Sequence, residues 1–192
     1  MKQRTFVIDL ETLGTRPGSV ICTIGAVEIV LERETGINYT FYRRICINTA
    51  LAAGLKVDGE TVEWWYKQAP EAWIEALGPY SCSNPPIPRD PLVNVLTDLS
   101  TWLGPKPIVY GNGPSFDMGL LVAAFDAVAL PVPWRYADER CLRTEKAAHE
   151  RAGLEWVRVK PTLFHHALMD AKAEATELIL NVFTKTEEAV NP

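Results

Sequence analysis

Two carboxylates are set into an apolar run near the amino terminus, Phe6-Val7-Ile8-Asp9-Leu10-Glu11-Thr12-Leu13-Gly14-Thr15. Side chains alternate between the faces of a β-strand, so Asp9 and Glu11 point one way while Ile8 and Leu10 point into the opposite layer. Like charges that close raise each other's pKa and strain a fold unless something positive lies between them. A divalent cation, magnesium or manganese, is the usual answer. A strand end carrying two solvated acids is the plainer alternative, and the choice turns on whether further acids arrive from elsewhere in the chain.

The first strand ends in a turn over Gly14 to Gly18, and Val20 to Val30 reads as a second strand. After a turn at Glu34-Thr35-Gly36, the alternation from Asn38 to Ile47 predicts a third, completing an antiparallel meander. Arg43 and Arg44 then fall on opposite faces, which argues against a joint phosphate clamp. Asp58 is placed to cap a helix running through Gln68 that carries Trp64 and Trp65, and Pro70 suits the first turn of a short helix ending at Leu77. Residues 78–91 hold five of the 14 prolines and are expected to form a mobile surface loop. Leu92, Val95, Leu96, Leu99 and Leu103 recur at helical spacing up to Gly104-Pro105. Ile108-Val109-Tyr110 reads as a short buried strand, and Ser115 as a cap placing Asp117 in the first turn of a helix to about Val128. The helix dipole favours a carboxylate there, which by itself would account for Asp117. A short strand over Trp134 to Ala137 and a helix from Glu139 to Ala152 follow. The last helix carries Leu168, Ala171, Ala175, Leu178 and Val182 on one face, and residues 187–192 are expected to fray.

At 192 residues, 47% of them hydrophobic, the chain suits a single domain spanning 1–192. No apolar run approaches the roughly 18 residues of a membrane helix, so no membrane partner and a cytoplasmic location are expected. The four cysteines form no CxxC pair, which argues against a zinc ribbon or a redox motif. A net charge of −5 argues against wrapping a long duplex but leaves room to grip a few nucleotides through metals.

Asp9 and Glu11 are joined by Asp117, where a strand gives way to a helix, and by Asp170 in the last helix, with His165 five residues before it. On one continuous helix a separation of five turns a side chain by about 140°. His165 is therefore expected in the loop before the helix. His166, four residues from Asp170, is its rival. The segments Asp9-Leu10-Glu11-Thr12, Gly113-Pro114-Ser115-Phe116-Asp117 and His165-His166-Ala167-Leu168-Met169-Asp170-Ala171 resemble, in order and spacing, the three motifs of the DEDDh group of DnaQ-like 3′-to-5′ exonucleases. Val62-Glu63-Trp64-Trp65 and the DLETLGT opening are most similar to the phage and bacterial branch related to exonuclease VIII and to small mycobacterial-type exoribonucleases.

The resemblance implies a ribonuclease-H-like α/β fold, a mixed five-stranded sheet with its first three strands antiparallel, flanked by helices. It implies a hydrolase that frees nucleoside 5′-monophosphates from single-stranded RNA or DNA or from a 3′ overhang, and homodimer formation. Two Mg2+ or Mn2+ ions would be held by Asp9, Glu11, Asp117 and Asp170, and His165 would be the general base; the family pattern prefers it to His166. Thr12 would contact the terminal nucleotide, Leu13 would wedge between the last two bases, and Phe116, Trp64 and Trp65 are candidates for stacking. Adjacent tryptophans on a helix also suit core on one side and rim on the other. Asp138 and Arg140 resemble a position that supports the site, though a salt bridge holding the helix is the plainer account. Two rivals remain. The opening also resembles haloacid-dehalogenase-like phosphatases, but their second acid is Asp where this chain has Glu11, and no later lysine with paired aspartates stands out. A non-catalytic nucleic-acid-binding module on the same fold would be expected to have lost acids, and here all four remain with the histidine.

Overall fold

A computed structural model of the chain describes residues 3–30, 36–79, 86–113 and 115–184. The two carboxylates lie on β1 (Thr5–Thr12), which pairs antiparallel with β2 (Ile21–Val30); β2 in turn pairs antiparallel with β3 (Gly36–Ile45). On its other side β1 takes β5 (Ile108–Gly111) in parallel, and β5 takes β6 (Glu139–Cys141) in parallel. A two-residue strand, β4 (Arg89–Asp90), adds to β3, so the sheet has six strands among the described residues, in the order β4-β3-β2-β1-β5-β6, where five were expected.

β4 arises inside the stretch read as a mobile loop. The Arg89 guanidinium donates to the carbonyls of Ile45, Ala76 and Gly78, and the fully buried Arg44 reaches those of Glu75, Gly78 and Ile87. Two guanidiniums thus stitch the described ends of the loop to β3. Its middle, residues 80–85, lies outside the described residues, as do the turn residues 31–35 and the tail expected to fray.

Seven α-helices cover the sheet among the described residues: α1 (Ile47–Ala52), α2 (Gly59–Trp65), α3 (Pro70–Leu77), α4 (Leu92–Leu103), α5 (Asp117–Ala127), α6 (Leu142–Arg151) and α7 (Ala167–Leu178). Phe6, Ile8 and Leu10 of β1 enter the larger core with Leu96, Leu99 and Phe125. Val7, facing the other way, joins Val27, Ala171, Ala175 and Leu178 in a second core beneath α7. The alternation read in β1 therefore separates two helical layers. Trp134 to Ala137 is not a strand. A 3-10 turn at Tyr136–Asp138 leads directly into β6 at Glu139, so the helix expected from Glu139 begins only at Leu142. No helix of the described residues is long and apolar enough to cross a membrane.

Candidate active site

Asp9 and Glu11 emerge on the α7 side of β1, opposite Gly25 and Thr23 of β2. Gly25 is what admits the helix: a Cβ there would collide with the peptide between Ala167 and Leu168. With that approach open, the first turn of α7 brings Asp170 against the strand, and its Oδ2 accepts the His166 backbone N–H at 3.0 Å. One carboxylate oxygen each from Asp9, Glu11 and Asp170 then lie within 4.8 Å of one another. Asp117 opens α5 without a side-chain cap; Ser115 does not serve as one, and Asp117 itself accepts the Asn112 backbone N–H at 2.9 Å. It packs on Gly111, where a Cβ would stand 2.8 Å from its Oδ2.

Glu174 was not anticipated from sequence. It lies one turn beyond Asp170 on α7, the i+4 position that shares a helix face, and it is buried with Oε1 accepting from Asn112 Nδ2 at 2.7 Å. The signal was available in that spacing. Five carboxylates thus meet with little to balance them. Burial pushes Asp9 and Glu11 well above the usual carboxylate range, and neighbouring acids push further, Glu174 first for Asp9 and Asp170 first for Glu11. Asp117 is raised by burial to about 6, against the opposing Asn112 amide. Ion pairs of the described residues lie elsewhere, at Arg4–Glu28, Arg43–Asp98, Arg44–Glu75 and Arg135–Asp138. Asp117 Oδ1 and Glu174 Oε2 are buried without a hydrogen-bond partner. Hard oxygen donors, unpaired and mutually repelling, fit a hard divalent cation such as Mg2+ or Mn2+.

A cavity of about 540 Å³ opens on the acids and is lined also by Thr12, Asp58, Trp64, Phe116 and His165. The two histidines separate cleanly. His165 adopts a φ of 58°, a left-handed conformation that a non-glycine residue holds at some cost, and its ring meets Trp64 edge-on at 4.8 Å in the cavity wall. His166 is buried, stacked on Tyr42 at 4.7 Å, and burial lowers its pKa. Trp64 is 41% exposed, whereas Trp65 is 1% exposed and donates its indole N–H to the Thr12 carbonyl at 2.8 Å. The pair divides into rim and core. Thr12 is buried, its hydroxyl donating to the Gly14 carbonyl. Leu13 is 5% exposed and packed in the larger core, so the expectation that it wedges between bases does not fit its position. Asp138 pairs with Arg135 rather than Arg140, which instead donates to the carbonyls of Ala137 and Glu139.

The sequence profile of the 3′-5′ exoribonuclease Rv2179c-like domain matches residues 4–180. No curated protein sequence matches the chain. Among solved structures, the nuclease domain of 3′hExo, a DEDDh family member bound to rAMP, is similar at 13% identity, with 94% of each chain covered and a TM-score of 0.57. Cell-death related nuclease 4 (CRN-4) is similar at 12% identity, covering 93% of this chain and 64% of that one, with a TM-score of 0.58. At such identities the likeness speaks for the fold.

Proposed function

The chain belongs to the family of 3′-5′ exoribonuclease Rv2179c-like domains, and from that premise we propose that it removes 3′-terminal nucleotides as 5′-monophosphates, acting as one domain on single-stranded nucleic acid or a 3′ overhang. What carries this reading is the convergence of Asp9, Glu11 and Asp170 within 4.8 Å at a cavity walled by His165 and Trp64.

Asp9, Glu11, Asp117 and Asp170 would hold two divalent cations, Mg2+ or Mn2+, which when bound supply charge neutralisation at the phosphate and a more acidic water. The chain's own groups account for the remainder. His165, fixed against Trp64 and neighbouring Asp170, takes the proton of the attacking water, a contribution of about 10²- to 10⁴-fold. Trp64 and Phe116 offer faces for the terminal base, each stack worth about 1 to 3 kcal/mol. Thr12, whose carbonyl is tied to Trp65, lines the cavity with Glu11. His166 is engaged in the interior, which favours His165 as the base.

Digestion of matched 5′-labelled RNA and DNA, single-stranded and as 3′ overhangs, with Mg2+, Mn2+ or EDTA, tests the proposal against Asp9→Ala. A ladder shrinking from the 3′ end, with metal and wild-type protein only, is the expected result. Release of inorganic phosphate would favour the phosphatase reading; binding without cleavage would favour the binding module.

A further inference from the structure

A second cavity of about 340 Å³ shares Asn112, Asp170 and Glu174 with the first but not its Trp64, Phe116 or His165. Here cations join those acids. Arg143 and Lys146, three apart on one face of α6, and Arg158 from the segment that follows line it. A smaller cavity with Lys160 and Lys172 continues it, sharing Val159, Pro161 and Ala173. None of the three leading cations has a carboxylate within 4.0 Å among the described residues. Glu177 also lines the groove, but its two oxygens accept the Trp156 indole N–H and the Val159 N–H.

The groove is built rather than incidental. Buried Asn181, in the π-helical turn Ile179–Phe183 that follows α7, accepts from Val157 N–H at 2.8 Å and returns a bond to the Val157 carbonyl at 2.9 Å, and Glu177 of α7 accepts the Val159 N–H, so the segment carrying Arg158 is pinned on both sides. Across from it, Arg143 Nε donates to Asn112 Oδ1 at 3.3 Å.

We infer that this groove is the track of the substrate's upstream backbone, with Arg143, Lys146 and Arg158 each meeting one phosphate and Lys160 and Lys172 extending the path. The inference rests on the exonuclease reading above. Cleavage on the 5′ side of the terminal nucleoside leaves the rest of the strand on the far side of the acids from that nucleoside. That remainder carries a phosphate per nucleotide past five carboxylates on a chain of net charge −5. Unpaired cations along its exit offset the repulsion.

Binding of 5′-fluorescein RNA of two and six nucleotides is measured in EDTA from 50 to 200 mM salt, and kcat/KM for both lengths with Mg2+. The three phosphate contacts of Arg143, Lys146 and Arg158 on a single strand contribute a roughly 20-fold loss of hexanucleotide affinity over that range, a contribution that falls to about 7-fold in Arg143→Gln, Lys146→Gln or Arg158→Gln. Arg158→Lys, which keeps the charge, should retain the wild-type salt dependence. The wild-type preference for six nucleotides over two should shrink in the triple Gln variant. Salt dependence unchanged by all three Gln substitutions, or no preference for the longer strand, would overturn the track. Absence of nucleotide release by the wild type would instead refute the exonuclease reading, and the salt dependences would still decide the groove.

Discussion

Neutralising Asp117 should make the metal-free protein more stable while removing its activity. Burial raises this carboxyl to about 6, whereas an ordinary aspartate titrates near 3.9. The folded chain therefore holds the proton more tightly than the unfolded chain, and ionisation costs stability. The cost is absent well below pH 4, where both states are protonated, grows between about pH 4 and 6, and is complete above. It reaches about 3 kcal/mol at pH 7.5 and falls to about 1 kcal/mol at pH 4.5. Asn retains an oxygen to accept the Asn112 N–H, so Asp117→Asn removes the charge and keeps the bond. In a chain of this length 1 kcal/mol moves Tm by about 2 to 4 °C. The variant should accordingly unfold roughly 6 to 12 °C above wild type at pH 7.5 in EDTA, with most of that advantage gone at pH 4.5. Thermal unfolding at the two pH values reads this directly, and Mn2+ should raise the wild-type Tm more than that of the variant. An advantage independent of pH, or a variant less stable at both, would refute the argument that an uncompensated buried charge lies here.

His165→Ala should lower kcat by about 10² to 10⁴ with Tm held, while His166→Ala, losing its stack on Tyr42, should lower Tm and keep turnover; the opposite pattern in nucleotide-release assays would exchange their roles. Trp64→Ala should raise KM about 5- to 150-fold, the equivalent of one base stack, whereas Trp65→Ala should cost about 3 to 5 kcal/mol in urea unfolding, as for a large buried aromatic. Gly25→Ala should cut kcat about 10²-fold and weaken Mn2+ binding in titration calorimetry, because displacing the start of α7 moves Asp170 from its partners.

The parts of the site that were legible in sequence are those set by chain-local geometry. Alternation on β1 put Asp9 and Glu11 on one face, and the five-residue gap put His165 in the loop before the α7 helix; both follow from side-chain periods alone. Helix geometry left His166 as a rival that the family pattern set aside, and what separates the surroundings of the two rings is the stack of His166 on Tyr42, more than a hundred residues earlier in the chain. Leu13, given its wedge role by the resemblance, packs in the larger core, a contact made with residues distant in the chain that its neighbours Thr12 and Gly14 do not announce. β4 escaped notice because two residues in a proline-rich stretch carry no periodicity. It is fixed by Arg44 and Arg89, whose bonds to distant carbonyls have no local signature.

Gly25 shows why the acids and the fold cannot be read separately. In β2 it reads as a weak strand residue, since it packs no side chain and loses more freedom on folding. Opposite Asp9, its missing Cβ is the space that the α7 backbone enters. That close approach delivers Asp170 and Glu174 to the strand and adds their repulsion to the burial that chiefly raises Asp9 and Glu11. A larger residue would relieve the repulsion by holding the helix away, and would separate the ligands. The glycine thus sets a distance at which the carboxylates are poorly matched to one another and well matched to a cation between them, so metal binding and the closure of α7 onto the sheet should reinforce each other.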